Sequence, residues 1–216
     1  MLIDTIVKTL KKETAPMVQP LVDQIIVEFG HDPFLILISC LLSLRAKDST
    51  TIHVCRDLFT RARTPKAILA LPLPALEKIV YKTGFYKNKA KSLHHVSDVL
   101  LTDYDGKVPA TYEQLISIKG IGLKTANLVL GLAFGKPAIC VDTHVHRISN
   151  RLGIIKTKTV EQTEEVLRET LPKKYWTVWN KLLVIWGQNV CVAVSPKCSS
   201  CAINSMCKRV GVTRSR

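Results

Sequence analysis

The chain has 216 residues, is 47% hydrophobic, and carries 31 Lys plus Arg against 17 Asp plus Glu, a formal net charge of +14. That length and apolar content allow one substantial core or two small ones and exclude a disordered chain. The surplus of positive charge makes a polyanion the expected partner, nucleic acid first and an acidic membrane surface second.

The N-terminal stretch MLIDTIVKTLKKE places apolar residues at helical spacing between charges. It lacks the continuous apolar run and small-residue cleavage site of a secretory signal, so the expected location is a reducing compartment: the cytoplasm, and the nucleoid through DNA if the source is prokaryotic. FLILISCLLSL, Phe34 to Leu44, falls well short of the roughly 20 apolar residues a membrane span needs and runs into Arg45, Lys47 and Asp48, so it reads as a buried core helix. Further on, Lys82, Lys87, Lys89 and Lys91 alternate with Tyr81, Phe85 and Tyr86. That pattern is either a solvated helix end or a set of phosphate contacts, with Lys89 and Lys47 the candidates for binding DNA. Apolar residues recur at three- and four-residue spacing almost throughout, with no sustained alternation, and Gly and Pro fall where short connections belong. The fold class is therefore all-α, with about a dozen helices. No flexible tether is present, so any domain division arises from helices packing into two bodies.

In LISIKGIGLKTANLVLGLAFG a short amphipathic segment breaks at Gly120-Ile121-Gly122 and resumes as a longer helix near Leu123. The glycines allow positive φ and close approach to another surface, and Ile121 can pin the turn to the core. The amides opening the second helix are left for an anion such as a DNA phosphate. With Thr125-Ala126 following at close-packing positions, the stretch fits a helix-hairpin-helix DNA-binding pattern, and Lys119, Gly120, Ile121, Gly122 and Thr125 become candidate DNA-binding residues. Lys124 lies in the first turn of the second helix, where the helix dipole and partial burial both favour the uncharged amine that a Schiff-base nucleophile needs. In VDTHVHRISNRLG, Asp142 stands at a helix start, where it can be an N-cap and still face Lys124 across a cleft. His144 and His146 read as packing or phosphate-contacting residues.

Seven cysteines in a reducing compartment argue for a metal site plus buried thiols rather than disulfides. Cys40, Cys55 and Cys140 are isolated in apolar surroundings and read as core residues. Cys191, Cys198, Cys201 and Cys207 form a Cys-x6-Cys-x2-Cys-x5-Cys run.

Through FLILISCLLS, TGFYKNKAKSL, GKVPATYEQLISIKGIGLKTANLVLGLAFGKPAICVDTHVHRISNRLG and the cysteine run, the sequence resembles the endonuclease III family of base-excision DNA glycosylases. The resemblance covers nearly the whole chain. It implies a six-helix barrel domain carrying the hairpin, residues 25–137, and a helical domain made of residues 1–24 and 138–216 that holds a [4Fe-4S] cluster on the four cysteines. A single Cys-x2-Cys flanked by lone cysteines suits a cluster better than the paired knuckles of zinc. The same resemblance implies a monomeric enzyme that removes oxidised pyrimidines from duplex DNA and cuts abasic sites, with Lys124 as nucleophile, Asp142 as its carboxylate and Lys197 offered to a phosphate by the cluster loop. Departures from the family pattern are Arg45, where a stack-filling glutamine is usual, Leu123 in place of an arginine, and Lys119 in place of a proline. The tail KRVGVTRSR reads as a loose electrostatic arm. Two alternatives stay open from the residues themselves: a monofunctional glycosylase, against which Lys124 counts, and a non-catalytic hairpin module, against which the Lys124–Asp142 combination counts.

Overall fold

The computed structural model describes residues 2–216. All regular structure among them is helical, so the all-α expectation holds. The chain forms two compact units, one of Met1–Pro20 with Pro137–Arg216 and the other of Leu21–Lys136.

The Leu21–Lys136 unit contains α2 (Leu21–Phe29), α3 (Pro33–Ser43), α4 (Asp48–Arg61), α5 (Pro65–Ala70), α6 (Leu73–Val80), α7 (Tyr86–Asp103), α8 (Tyr112–Ser117) and α9 (Leu123–Phe134). Its centre is α3, the apolar run singled out in sequence, buried continuously from Phe34 to Leu42. Local chemistry starts this helix sharply: Asp32 Oδ1 accepts the amides of Phe34 and Leu35 at 2.7 and 3.3 Å, and Pro33 occupies the first turn, where its missing N–H costs nothing. A helix buried all round needs cover on every side, and α2, α4, α7 and α9 pack against it. The long α7 in turn packs on α5 and α6.

In the other unit, α1 (Leu2–Thr14), α10 (Thr143–Leu152), α11 (Val160–Thr170) and α12 (Trp176–Asn189) enclose a core of Ile6, Leu10, Val145, Leu167, Trp179 and Trp186, among others. α1 and α10 both pack on α12. The buried Trp179 donates its indole N–H to Ser149 Oγ at 3.1 Å, and Tyr175 donates its hydroxyl to Asp4 Oδ1 at 2.5 Å, tying α1 to the start of α12. Each is a polar group that burial would otherwise penalise. No helix among the described residues is long and apolar enough to cross a membrane.

Candidate active site and nucleic-acid interface

The hairpin is built from both ends. Thr111 Oγ1 caps α8 by accepting the Gln114 amide at 3.3 Å, and between α8 and α9 the Ile121 amide donates to the Ile118 carbonyl at 3.0 Å. Ile118 and Ile121 are buried and anchor the turn, which leaves Lys119, Gly120 and Gly122 exposed. The two glycines serve different purposes. Gly120 has φ +102°, and a Cβ there would lie 2.7 Å from Ser92 Oγ on α7. Gly122 is extended, at φ −89° and ψ 173°, and a Cβ there would meet nothing within 4 Å. No side chain caps α9, so the amides of its first turn stand without intrahelical partners beside an exposed glycine, an arrangement that receives an anion.

Lys124 is the second residue of α9 and is exposed. The partial burial expected for it is not found, because the inward stripe of α9 begins one residue later with Thr125 and Ala126, at 2% and 0% exposure. Asp142 caps α10, its Oδ1 accepting the amides of His144 and Val145, both at 2.9 Å. Its Oδ2 takes no part in that cap. His144 takes the packing role: its Nδ1 lies 3.1 Å from Arg147 Nη2, and a Cβ on Gly187 of α12 would clash with the same nitrogen.

Arg45 and Phe85 meet at the surface of the Leu21–Lys136 unit, the guanidinium carbon 5.9 Å from the ring centroid. With Leu41, Leu44, Asn88 and Ser92 they line a pocket beside the hairpin. Lys47 and Lys197 are exposed, as DNA contacts require. Lys89 is not: it is 9% exposed, and its ammonium donates to the Leu42 and Thr83 carbonyls at 2.7 and 2.8 Å. The DNA-binding role expected for Lys89 therefore gives way to an internal one, and burial depresses its pKa.

Cys191, Cys198, Cys201 and Cys207 line a single pocket whose walls include Ile148, Leu152, Trp186 and Ile203 with the cations Arg151 and Arg209. No three His, Cys, Asp or Glu among the described residues are gathered closely enough to hold a lone metal ion. The pocket nonetheless fits a sulfur-rich group. Its lining supplies four cysteine sulfurs, and the Trp186 indole N–H on its wall lies close enough to Cys201 to favour that residue's thiolate. Burial raises the Cys201 and Cys207 thiols, so binding a metal centre there releases protons.

Arg147 and Arg151 of α10, unremarkable in the sequence, hold the loop entering this pocket. Arg147 Nη2 reaches the Cys191 carbonyl at 3.0 Å, and Arg151 reaches the carbonyls of Val192 and Ala193 at 2.8 and 2.7 Å and Cys191 Sγ at 3.4 Å. Burial, reinforced by repulsion from Arg151, lowers the Arg147 pKa. The loose arm expected at the C-terminus is also absent. The Val210 amide donates to the Arg151 carbonyl at 3.1 Å, the Arg216 amide to the Pro196 carbonyl at 2.8 Å, and the Ser199 amide to the Arg216 carbonyl at 2.9 Å, so the tail folds back over the cysteine loop.

The sequence profile described as "HhH-GPD superfamily base excision DNA repair protein" matches residues 38–173, more than half of the chain. The endonuclease III of Thermotoga maritima is 39% identical over 197 residues, covering 89% of this chain and 92% of that protein. A solved non-covalent endonuclease III–DNA complex superposes with a TM-score of 0.82 at 34% identity, covering 96% of this chain and 94% of that one. A trapped endonuclease III–DNA covalent intermediate gives the same TM-score, identity and coverage. With the hairpin, the lysine beyond it, the capping aspartate and the cysteine pocket all in place, the chain belongs to the endonuclease III family within the HhH-GPD superfamily of base-excision DNA repair proteins.

Proposed function

We propose that this chain removes oxidised pyrimidines from duplex DNA as a bifunctional glycosylase and abasic-site lyase, with Lys124 as nucleophile and Asp142 as its carboxylate partner. The observation that carries the assignment is an exposed lysine in the first turn of α9, directly beyond uncapped amides that suit a phosphate. The covalent intermediate trapped for an endonuclease III of the same fold supports it.

The hairpin amides hold the strand, and Lys119, Lys47 and Lys197 add electrostatic attraction that falls with salt. The damaged base leaves the stack, at less cost than an intact pair. The Lys124 amine gives up a proton and attacks C1′, and the C1′–N bond to the base breaks. Oδ2 of Asp142 stabilises the positive charge developing on the sugar. Opening of the sugar ring gives an imine between Nζ and C1′. Loss of a C2′ proton then breaks the C3′–O bond and cuts the strand 3′ to the lesion, and hydrolysis of the imine restores the lysine.

The four cysteines hold a [4Fe-4S] cluster, which when bound supplies a rigid cross-link between residues 191 and 207. Arg147 and Arg151 already fix the backbone of that loop, and Lys197 is exposed on it, free to meet a phosphate.

The test is a duplex carrying one thymine glycol, with free base and 3′ strand cutting followed together. Both are expected from the wild-type chain. Base release without cutting would make the enzyme monofunctional, and binding without either would leave a DNA-binding module.

A further inference from the structure

Two turns of the Leu21–Lys136 unit each hold a non-glycine residue at positive φ: Arg45 at +53° after α3 and Phe85 at +49° before α7. Left-handed backbone is unfavourable for a residue with a Cβ and persists only where its surroundings impose it. Both side chains are exposed, Phe85 to 63%, so core packing does not impose it. The two side chains pack on each other at the rim of the pocket that also contains Ser92, and Ser92 sits beneath Gly120 of the hairpin.

One residue reaches both turns. The Lys89 ammonium donates to the carbonyl of Leu42, three residues before Arg45 and among the last carbonyls of α3, which lack helical partners. It also donates to the carbonyl of Thr83, two residues before Phe85, while the Lys89 amide donates to Phe85's own carbonyl at 3.0 Å. The Phe85 turn is thus gripped on both sides, and the same cation pins it to the end of α3.

We propose that Lys89 is a positioning residue for base extrusion: it locks the Arg45 turn against the Phe85 turn, so that the cation–aromatic pair meets the DNA base stack already assembled. This rests on the reading of the chain as a glycosylase acting on duplex DNA. An aromatic face stacks on any base, and a guanidinium donates to base edges beside it. A pair assembled before binding avoids the cost of ordering two flexible side chains in the complex.

The test is Lys89→Met in the full cluster-loaded chain, on a duplex with 2-aminopurine opposite a thymine glycol. Wild-type binding raises the 2-aminopurine fluorescence as the stack opens. In Lys89→Met most of that rise is lost, and base release slows by at least about tenfold, the scale expected for misplaced groups. Strand cutting at a preformed abasic site, which needs no base extrusion, and affinity for undamaged duplex stay at the wild-type level. Adding Phe85→Ala to Lys89→Met costs nothing more, because both act through one element. Equal losses in all of these readouts, or additive effects of the two substitutions, would overturn the proposal. Where circular dichroism shows Lys89→Met unfolded, Lys89→Gln, which keeps a donor, repeats the test; failure of both to fold also overturns it, since Lys89 then serves the whole unit. A wild-type chain that releases no base refutes the glycosylase reading instead.

Discussion

Replacing Gly122 by Ala takes nothing away from the folded chain and puts one methyl group on the exposed face of the hairpin. At φ −89° the backbone suits alanine, and no atom lies within 4 Å of the new Cβ. The unfolded chain loses entropy, which stabilises by roughly 0.4–1 kcal/mol. Alanine is a poorer N-cap than glycine, and this offsets a comparable amount. Stability therefore changes by no more than about 1 kcal/mol either way, or about 4 °C in Tm for a chain of this size. On DNA the methyl stands between a phosphate and the first amides of α9. Losing one charge-assisted hydrogen bond there costs about 1.5–3 kcal/mol, or on the order of 10- to 100-fold in affinity.

Gly120→Ala has the opposite profile. At φ +102°, with Ser92 Oγ 2.7 Å from the new Cβ, it destabilises the free chain by about 1–3 kcal/mol, and adding Ser92→Ala recovers only the contact part. Thermal melting and fluorescence anisotropy at fixed salt separate the two glycines. A Gly122→Ala protein that binds duplex as tightly as wild type would refute a phosphate at the uncapped end of α9, and equal destabilisation by the two substitutions would refute the distinction between them.

Asp142→Asn keeps an N-cap side chain, so its Tm stays close to wild type, while single-turnover base release falls by roughly 100-fold or more. Asp142→Ala additionally loses the cap and melts about 2–4 °C lower, for about 1 kcal/mol; an Asn variant with undiminished base release would remove Asp142 from the chemistry. Cys201→Ser is expected to lower the iron and sulfide content of the purified protein together with its Tm. Retention of the full iron complement would mean that Cys201 is not a ligand.

The parts of this molecule that local pattern dictates were legible in the sequence. The run Phe34 to Leu42 reads as a buried helix, and the cap that the structure shows at Asp32-Pro33, though not singled out in the sequence, is equally local chemistry. The hairpin turn and the cap at Asp142 are likewise local. What escaped was set by partners distant along the chain. Lys89 sits among other lysines at helical spacing and looks like one more solvated cation, because its acceptors are the carbonyls of Leu42, 47 residues away, and Thr83. Arg147 and Arg151 look like an ordinary charged helix face until the chain returns 40 residues later to place Cys191 to Ala193 against them. The basic tail reads as an arm because its charge is visible and its backbone pairing to Arg151 and Pro196 is not. Gly120 and Gly122 are interchangeable on paper, and the left-handed backbone at Gly120 with Ser92 close above it tells them apart.

The central claim is that Lys124 becomes covalently joined to the sugar. Borohydride reduction of the chain mixed with duplexes carrying a thymine glycol or an abasic site tests it most directly, with Lys124→Ala alongside. Wild type is expected to give a stable protein–DNA adduct on both duplexes, and Lys124→Ala none while still binding DNA. An adduct that survives the substitution would assign the nucleophile to another amine, and the absence of any adduct from wild type, with base release intact, would contradict the Schiff-base mechanism.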